Sequence, residues 1–347
     1  MEQARDRSKV SIIVLNWNGE RFLADCLEAL RGQTHVNREI ILVDNGSTDL
    51  SVQFVKESFP DVKIVELSEN LGFSGGNLEG LKVAGGEFTA LVNNDARVDK
   101  EWLERLIQPM VEDSKIGVCA SKLIMEGTRT INSAGGRITT AGVGFDRGLG
   151  ESDELYNIAE FVFGACAAAV LYRRKMLEEI GFFDEDFFLY GEDTDLSFRA
   201  QLAGWKCMYV PTAVVYHKGH ATAGRYSDLH VYYHTRNQEF VWIKNMPRRL
   251  VIRYAHHKIL QEMADVRTYC LRLGKWKPFL RAKRDALRML PGMLTKRRAI
   301  QSMKKVSDEY TESLLTSIFS DALRRHKRLA RLAFTRDVSF EPLEKRD

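Results

Sequence analysis

Two places in this chain concentrate groups able to handle a charged substrate. Asn93-Asn94-Asp95 sets a lone carboxylate directly after the apolar run Ala90-Leu91-Val92, and Gly191-Glu192-Asp193-Thr194-Asp195 bunches three carboxylates ahead of a helical pattern carrying Leu196, Arg199 and Leu202. A hard cation such as Mg²⁺ keeps several waters and needs only one or two protein carboxylates when substrate phosphates supply the other oxygens. A lone aspartate in such a turn is therefore compatible with a cation ligand and equally with ordinary turn chemistry. The acidic cluster has a structural explanation, since the dipole at a helix start favours ionised carboxylates; it could equally supply a general base, a role contributing typically about 10²–10⁴-fold. His217 ends the apolar run 210–216, and its imidazole suits Mn²⁺ better than Mg²⁺. His220 is a weaker substitute, and a lone histidine after a strand is more often structural than a ligand.

The elements that must position these groups alternate. Val10-Ser11-Ile12-Ile13-Val14-Leu15 ends in Asn16-Trp17-Asn18-Gly19, after which Phe22, Leu23, Cys26, Leu27 and Leu30 recur at helical spacing. Residues 39–43 repeat the strand pattern, break at Asp44-Asn45-Gly46-Ser47 and resume as a helix through Val52, Val55 and Phe59. Residues 62–67 and 90–93 read as two further strands. Near-continuous apolar strands separated by helices predict an α/β domain with a mostly parallel central sheet covered on both faces. Ligands of such sheets bind beyond the carboxyl ends of the strands, where Asn16, Asp44, Asn70 and Asp95 all fall. Each of these is also ordinary turn chemistry, so their coincidence carries the signal. No G-x-G-x-x-G follows the first strand, which argues against a dinucleotide-binding dehydrogenase.

The stretches VSIIVLNWNGERFLADCLEAL, EIILVDNGSTD, ENLGFSGGNLEGLKVA, LVNNDARVDKEWLERL, GFFDEDFFLYGEDTDLSFRAQLAGW and VPTAVVYH, in that order, resemble the family-2 glycosyltransferases. Within that family they are most similar to the rhamnosyltransferase-like members that build bacterial surface polysaccharides. The likeness runs from about 10 to 217 and continues weakly through Tyr232-Tyr233-His234-Thr235-Arg236-Asn237.

The resemblance implies a GT-A fold, Rossmann-like, over residues 1–228, with a donor half at about 10–100 and an acceptor half at about 101–228. It implies inverting transfer from a nucleoside-diphosphate sugar, dTDP-rhamnose first and a UDP-hexose as the alternative, to a glycan or polyprenyl-linked glycan, with a divalent cation, Mg²⁺ or Mn²⁺. Asp44 matches the carboxylate that accepts the N3–H of uracil or thymine, with Asn16, Asn18 and Asn45 around the same base. Asn70, Gly75, Gly76 and Asn77 match the segment whose backbone N–H groups approach ribose and diphosphate at a helix start. Asn93 falls to the ribose, Asn94 to the nucleotide sugar without a finer role, Asp95 to the metal, and His217 to the completed metal sphere. Gly164 and Ala165, within Phe163-Gly164-Ala165-Cys166-Ala167, match small residues lining sugar and acceptor. Asp193 matches the base, with Glu192 orienting or contacting the acceptor. Phe183, Phe187, Phe188 and Tyr190 stand as acceptor wall or as core.

Composition bounds the alternatives. With 44% hydrophobic and 10% aromatic residues the chain is globular in character. Cysteines 26, 119, 166, 207 and 270 form no C-x-x-C pair, which argues against a disulfide framework and a zinc site. No apolar run reaches the roughly 18 residues that a bilayer span requires, and the amino terminus MEQARDRSKVSIIV lacks the apolar core of a secretory signal. A cytoplasmic protein is the reading. The formal charge of +4 divides unevenly: residues 244–305 hold 18 Lys and Arg against Glu262, Asp265 and Asp285, a net +15, leaving −11 elsewhere. Helical patterns over 229–245, 250–273, 278–290 and 295–332, punctuated by Pro247, Pro278 and Pro291, interleave those cations with apolar residues. This basic, mainly helical region, 229–347, suits the anionic inner face of a membrane. A solvated or homo-oligomerising surface is the alternative, and no nucleic-acid-binding module is recognisable.

Overall fold

The computed structural model describes residues 8–219, 226–320 and 323–324. The chain begins with β1 (Val10–Asn16), α1 (Glu20–Arg31), β2 (Arg38–Asp44), α2 (Ser51–Ser58), β3 (Lys63–Glu66), α3 (Gly72–Val83) and β4 (Phe88–Asn93). It continues through β5 (Ala96–Val98), α4 (Trp102–Glu112), β6 (Ile116–Met125), β7 (Ile131–Ser133), β8 (Gly136–Thr139), β9 (Gly144–Asp146), β10 (Glu160–Val162), β11 (Ala169–Arg173), α5 (Arg174–Ile180), α6 (Glu192–Leu202) and β12 (Lys206–His217). Helices α7 (Asp228–Asn245), α8 (Arg248–Asp265), α9 (Trp276–Ser302) and α10 (Asp308–Ser313) follow, then the short β13 (Leu315–Thr316).

The main sheet runs β10-β12-β6-β11-β4-β1-β2-β3, with β5 on β12 and β7 on β6. The pairs β1–β2, β1–β4 and β2–β3 are parallel, as the alternating strand and helix pattern predicts, and β6–β12 is parallel too. Both faces are covered. Ile12 and Val14 enter one apolar cluster with Leu23 and Leu27 of α1, whereas Ile13 enters another with Ile41 and Val43. Each such fully buried aliphatic side chain contributes about 1.5–3 kcal/mol relative to exposure.

Register fixes the site. Asn16 stands opposite Asp44, and Leu15 opposite Asn93, so three strands deliver polar residues to one edge. Strand β12 shifts register between Val210 and Val214, around Pro211, which cannot donate to a ladder and is tolerated at an irregularity. Beyond the shift, His217 pairs with Ala96, which sets the histidine beside Asp95.

The carboxyl-terminal region is helical, with one correction. Pro278 and Pro291 do not separate helices: both lie inside α9. Pro278 falls in the first turn, where its missing N–H costs no intrahelical bond. Pro291 is interior, yet Ala286, Met293 and Ile300 on either side are buried with Phe240 and Val241 of α7, and that packing holds the helix through the proline. Pro247 does stand between two helices, α7 and α8. The pattern expected to run to 332 is helical to Ser302 and again over Asp308–Ser313; its positions 321–322 and from 325 lie outside the described residues, as does His220.

Much of the positive charge of this region is engaged internally. Lys244 bridges Asp184 (2.6 Å) and Asp195 (2.9 Å), Lys296 holds Asp184 (2.5 Å) and Asp186 (2.6 Å), and Lys258 and Lys283 both hold Glu239 and Glu262. No helix among the described residues is long and apolar enough to cross a membrane. The five cysteines are free thiols.

Candidate functional site

The edge made by β1, β2 and β4 opens into a cleft of about 640 Å³, lined among others by Asn70, Asp95, Gly164, Asp193 and His217. At its sheet end the polar residues interlock. Asn16 Nδ2 donates to Asp44 Oδ1 (3.2 Å), Asn94 Nδ2 donates to Asn16 Oδ1 (2.8 Å), and the Ser47 N–H donates to Asp44 Oδ2 (3.0 Å). Asn18 Oδ1 accepts from the Thr48 N–H (2.8 Å), tying the loop after β1 to the loop after β2. Asn16, Asp44 and Asn45 are almost wholly buried. They form a preorganised floor of which Asn45 and, beside it, Asn94 line the cleft, whereas Asn16, Asn18 and Asp44 do not, a correction to their expected place against the base.

The start of α3 differs from expectation. Asn45 Oδ1 accepts the Leu71 N–H (2.9 Å), Asn70 Oδ1 accepts the Gly72 N–H (2.8 Å), and the Phe188 carbonyl accepts the Ser74 N–H (3.2 Å). The early amides of this helix are thus satisfied by the protein itself. Gly75, Gly76 and Asn77 lie buried within α3 and do not line the cleft, a correction to their expected place against the diphosphate. Their physical role is close packing: a Cβ on Gly76 would sit 2.4 Å from Leu15 Cδ1, and Asn77 Nδ2 donates to the Phe73 carbonyl (2.8 Å).

Asp95 and His217 meet directly, with Nε2 of the imidazole 3.2 Å from Oδ1 of the carboxylate. Asn93 Nδ2 lies 3.3 Å from the same Nε2, and Asn132 Oδ1 lies 2.7 Å from Nδ1. An amide oxygen can only accept, so Nδ1 carries a hydrogen and Nε2 is the ring nitrogen turned toward Asp95. Burial opposes the charge of Asp95, but the His217 contact outweighs it and holds the carboxyl below its usual range. Two ligands at right angles, each about 2.1 Å from one ion, are about 3 Å apart, which the observed spacing fits. Among the described residues no group of three or more His, Cys, Asp or Glu gathers for a metal. The protein offers two donors, and substrate oxygens must complete any coordination sphere.

Across the cleft, Gly191 opens α6 in a left-handed conformation (φ 87°) and leads into Glu192 and Asp193. The Ala167 N–H donates to Asp193 Oδ2 (3.3 Å) and the Thr194 N–H to Oδ1 (2.6 Å). Burial raises the Asp193 pKa, while these amides favour the ionised form. Burial, with the charge of Asp193 beside it, pushes Glu192 up to about 8. Glu192 Oε2 has no hydrogen-bond partner, in keeping with a protonated carboxyl. Two adjacent buried carboxyls do not both ionise readily, and Asp193, with two amide hydrogens on its oxygens, is the better placed of the pair to carry the charge. Gly164 and Ala165 form the adjoining wall; a Cβ on Gly164 would lie 2.2 Å from Ser197 Oγ, so only glycine fits against α6. Burial raises the Cys166 thiol pKa well above normal, which removes it as a nucleophile.

Asp195 has another task. It is fully buried, accepting from Arg199 Nε (2.9 Å) and Asn245 Nδ2 (2.8 Å) and pairing with Lys244 (2.9 Å). Burial alone would raise its pKa, but Lys244 and Arg199 pull it down to about 2. It makes no cap hydrogen bond; it is an ionic joint between α6 and α7. The aromatic cluster divides: Phe183 and Phe187 are core, whereas Phe188 and Tyr190 line the cleft.

Two polar cleft residues, Asn132 and Asp146, escaped the sequence reading, and a third was barely visible in it. Asn132 and Asp146 lie in a glycine-rich stretch without periodic signal; burial is the largest influence raising Asp146 to about 6, with the charge of Asp193 adding to it. Asn237 of α7 was visible only in the weak tail of the resemblance.

Comparison with known proteins agrees with this geometry. Residues 11–181 match the profile of the family described as Glycosyl transferase family 2. Glycosyltransferase GlyA of Streptococcus pneumoniae is 29% identical over 210 residues, 58% of this chain and 29% of its own length, so the chain spans under a third of that relative. An N-acetylglucosaminyl-diphospho-decaprenol L-rhamnosyltransferase of Mycobacterium tuberculosis is 26% identical over 245 residues, 63% of this chain and 77% of the relative. Among solved structures, GalNAc-T7 with UDP, GalNAc and Mn²⁺ superposes with a TM-score of 0.55 at 14% identity, covering 76% of this chain and 58% of that one, a likeness of GT-A fold. The matched profile spans the strands β1, β2 and β4 that build the cleft, and residues 11–181 of this chain belong to glycosyl transferase family 2.

Proposed function

We propose that this protein is an inverting glycosyltransferase that moves a sugar, L-rhamnose from dTDP-rhamnose, to a glycan or polyprenyl-linked glycan of a bacterial surface polysaccharide. The observation that carries the reading is the shared cleft: the Asp95–His217 pair and the carboxylate of Asp193 line one cavity, with small residues between them. The transferase domain occupies 1–228, and the carboxyl-terminal region 229–347, through the helix Asp228–Asn245, completes the acceptor side. Asn45 receives the pyrimidine, on the floor that it forms with Asn16 and Asp44; Asn70 and Asn93 face the ribose, and Asn94 the nucleotide sugar. Asp95 and His217 hold a divalent cation, Mg²⁺ or Mn²⁺, which when bound supplies positive charge to the departing diphosphate. Asp193 takes the proton from the acceptor hydroxyl as that oxygen forms its bond to the anomeric carbon on the face opposite the leaving group. Protonated Glu192 hydrogen-bonds the acceptor. Because Asp193 must be ionised, turnover falls as pH drops, and its raised pKa sets that fall above the ordinary carboxylate range near 4.

The acceptor side supports a lipid-linked substrate at the inner membrane face. Ile252, Ile259, Met263, Leu280 and Leu287 are exposed on α8 and α9, interleaved with exposed Arg248, Arg267, Arg272 and Lys277. Flotation with anionic vesicles should show salt-sensitive binding, and its absence would remove the membrane from the account. The donor is tested by a thermal-shift screen of dTDP- and UDP-sugars with Mn²⁺, followed by nucleoside diphosphate release. The expected result is stabilisation and release with dTDP-rhamnose; a response confined to UDP-hexoses would replace the sugar but keep the mechanism, and no response to any nucleotide sugar would overturn both.

A further inference from the structure

We propose that Asn237, on the first helix after the transferase core, is a positioning residue for the base: it pins a strained loop that sets where Asp193 stands. The inference rests on the reading of Asp193 as base. Phe188 (φ 60°), Tyr190 (φ 70°) and Gly191 (φ 87°) all have positive φ within four residues ahead of α6. Two of them carry side chains, and such conformations persist only where the surroundings over-determine them.

The surroundings here are α7. Asn237 Nδ2 faces three loop carbonyls, of Phe187 (2.9 Å), Leu189 (2.9 Å) and Tyr190 (2.7 Å). Its two hydrogens serve acceptors that a strained loop turns inward, where no helix or strand partner exists for them. The amide cannot flip, because Arg236 Nε donates to Asn237 Oδ1 (2.9 Å) while Nη2 of the same guanidinium donates to the Phe187 carbonyl (3.0 Å). Asn237 is almost fully buried. The Phe188 ring stacks on Tyr233 of α7 (5.0 Å between centroids, 13° between planes), and ion pairs from Lys244 and Lys296 anchor Asp184 and Asp186 at the loop's start.

The other side of the loop touches the donor half. The Phe188 carbonyl accepts the Ser74 N–H at the start of α3, the helix that Asn45 and Asn70 cap. One short segment thus joins the nucleotide floor to the amino end of α6, and Asn237 fixes its curvature. Without that amide the loop relaxes toward negative φ, and Asp193, two residues past Tyr190's neighbour Gly191, shifts relative to the acceptor.

The test compares full-length wild type, Asn237→Ala and the isosteric Asn237→Asp, whose oxygen repels the three carbonyls. Met293→Ala, a cavity in the same helical layer, serves as a control for general destabilisation. Expected for both Asn237 variants are faster hydrogen exchange at 187–191 and a kcat lowered by about 10²-fold, the scale of an ångström-sized misplacement, at a donor KM near wild type. Met293→Ala should lower the melting temperature while keeping kcat. Wild-type kcat in Asn237→Asp, or a kcat loss matched by the Met293→Ala control, overturns the proposal. Turnover surviving Asp193→Asn sinks the base assignment alone, since the exchange and kcat readouts on Asn237 are scored without it.

Discussion

His217 Nε2 stands 3.2 Å from Asp95 Oδ1, at the end of a strand that must slip register around Pro211 to bring it there. Two donors at that spacing should act as one metal site. Asp95→Ala is expected to abolish the Mn²⁺ dependence of donor binding measured by calorimetry, and His217→Ala to weaken it; an unchanged metal response in Asp95→Ala would mean the pair is structural.

Asn132 reaches the same imidazole from the far side, 2.7 Å from Nδ1. By accepting the Nδ1 hydrogen it keeps Nε2 turned toward Asp95, and loss of such an outer partner typically weakens metal affinity about 10–100-fold. Asn132→Ala should therefore raise the Mn²⁺ concentration needed for half-maximal turnover by that factor, with metal-free nucleotide binding unaltered.

Glu192 yields a pH prediction. Its folded pKa of about 8 lies above the ordinary value of 4.5, so the native state binds the proton more tightly than the unfolded chain. The resulting stability is present at low pH and is lost as pH rises through about 8. Glu192→Gln, neutral at every pH, should match wild type near pH 5 and exceed its melting temperature increasingly toward pH 9. Parallel pH profiles for the two proteins would show that the carboxyl is not held protonated.

The joint of Lys244 with Asp184 and Asp195 is buried on both sides. Removing one partner leaves uncompensated charge, so Lys244→Met should cost about 3–5 kcal/mol in urea unfolding. The Asp195 contribution has the opposite sign to that of Glu192: with a folded pKa of about 2 it is full above the unfolded value near 4 and disappears as pH falls toward 2.

The donor half was legible because its strands are continuous apolar runs ending in turn residues, as in Val10–Asn16 and Arg38–Asp44. The Asp95–His217 meeting was legible only through family likeness, since it depends on a register shift that no local pattern announces. Asn132 and Asp146 were hidden because small strands β7 to β9 take their order from tertiary contacts, among them the Gly136 N–H donating to the Gly164 carbonyl (2.7 Å). The charge of 244–305 was visible, but its internal destination was not: ion pairs to Asp184, Asp195 and Glu239 join residues distant in sequence. Pro291 misled for the same reason, because long-range packing outweighs a local penalty of about 3 kcal/mol.

The central claim is that Asp193 removes the acceptor proton while the rest of the cleft binds donor. Asp193→Asn, assayed with dTDP-rhamnose, Mn²⁺ and acceptor, should lose about 10²–10⁴-fold in nucleoside diphosphate release while donor affinity stays near wild type. Release at the wild-type rate would contradict the account.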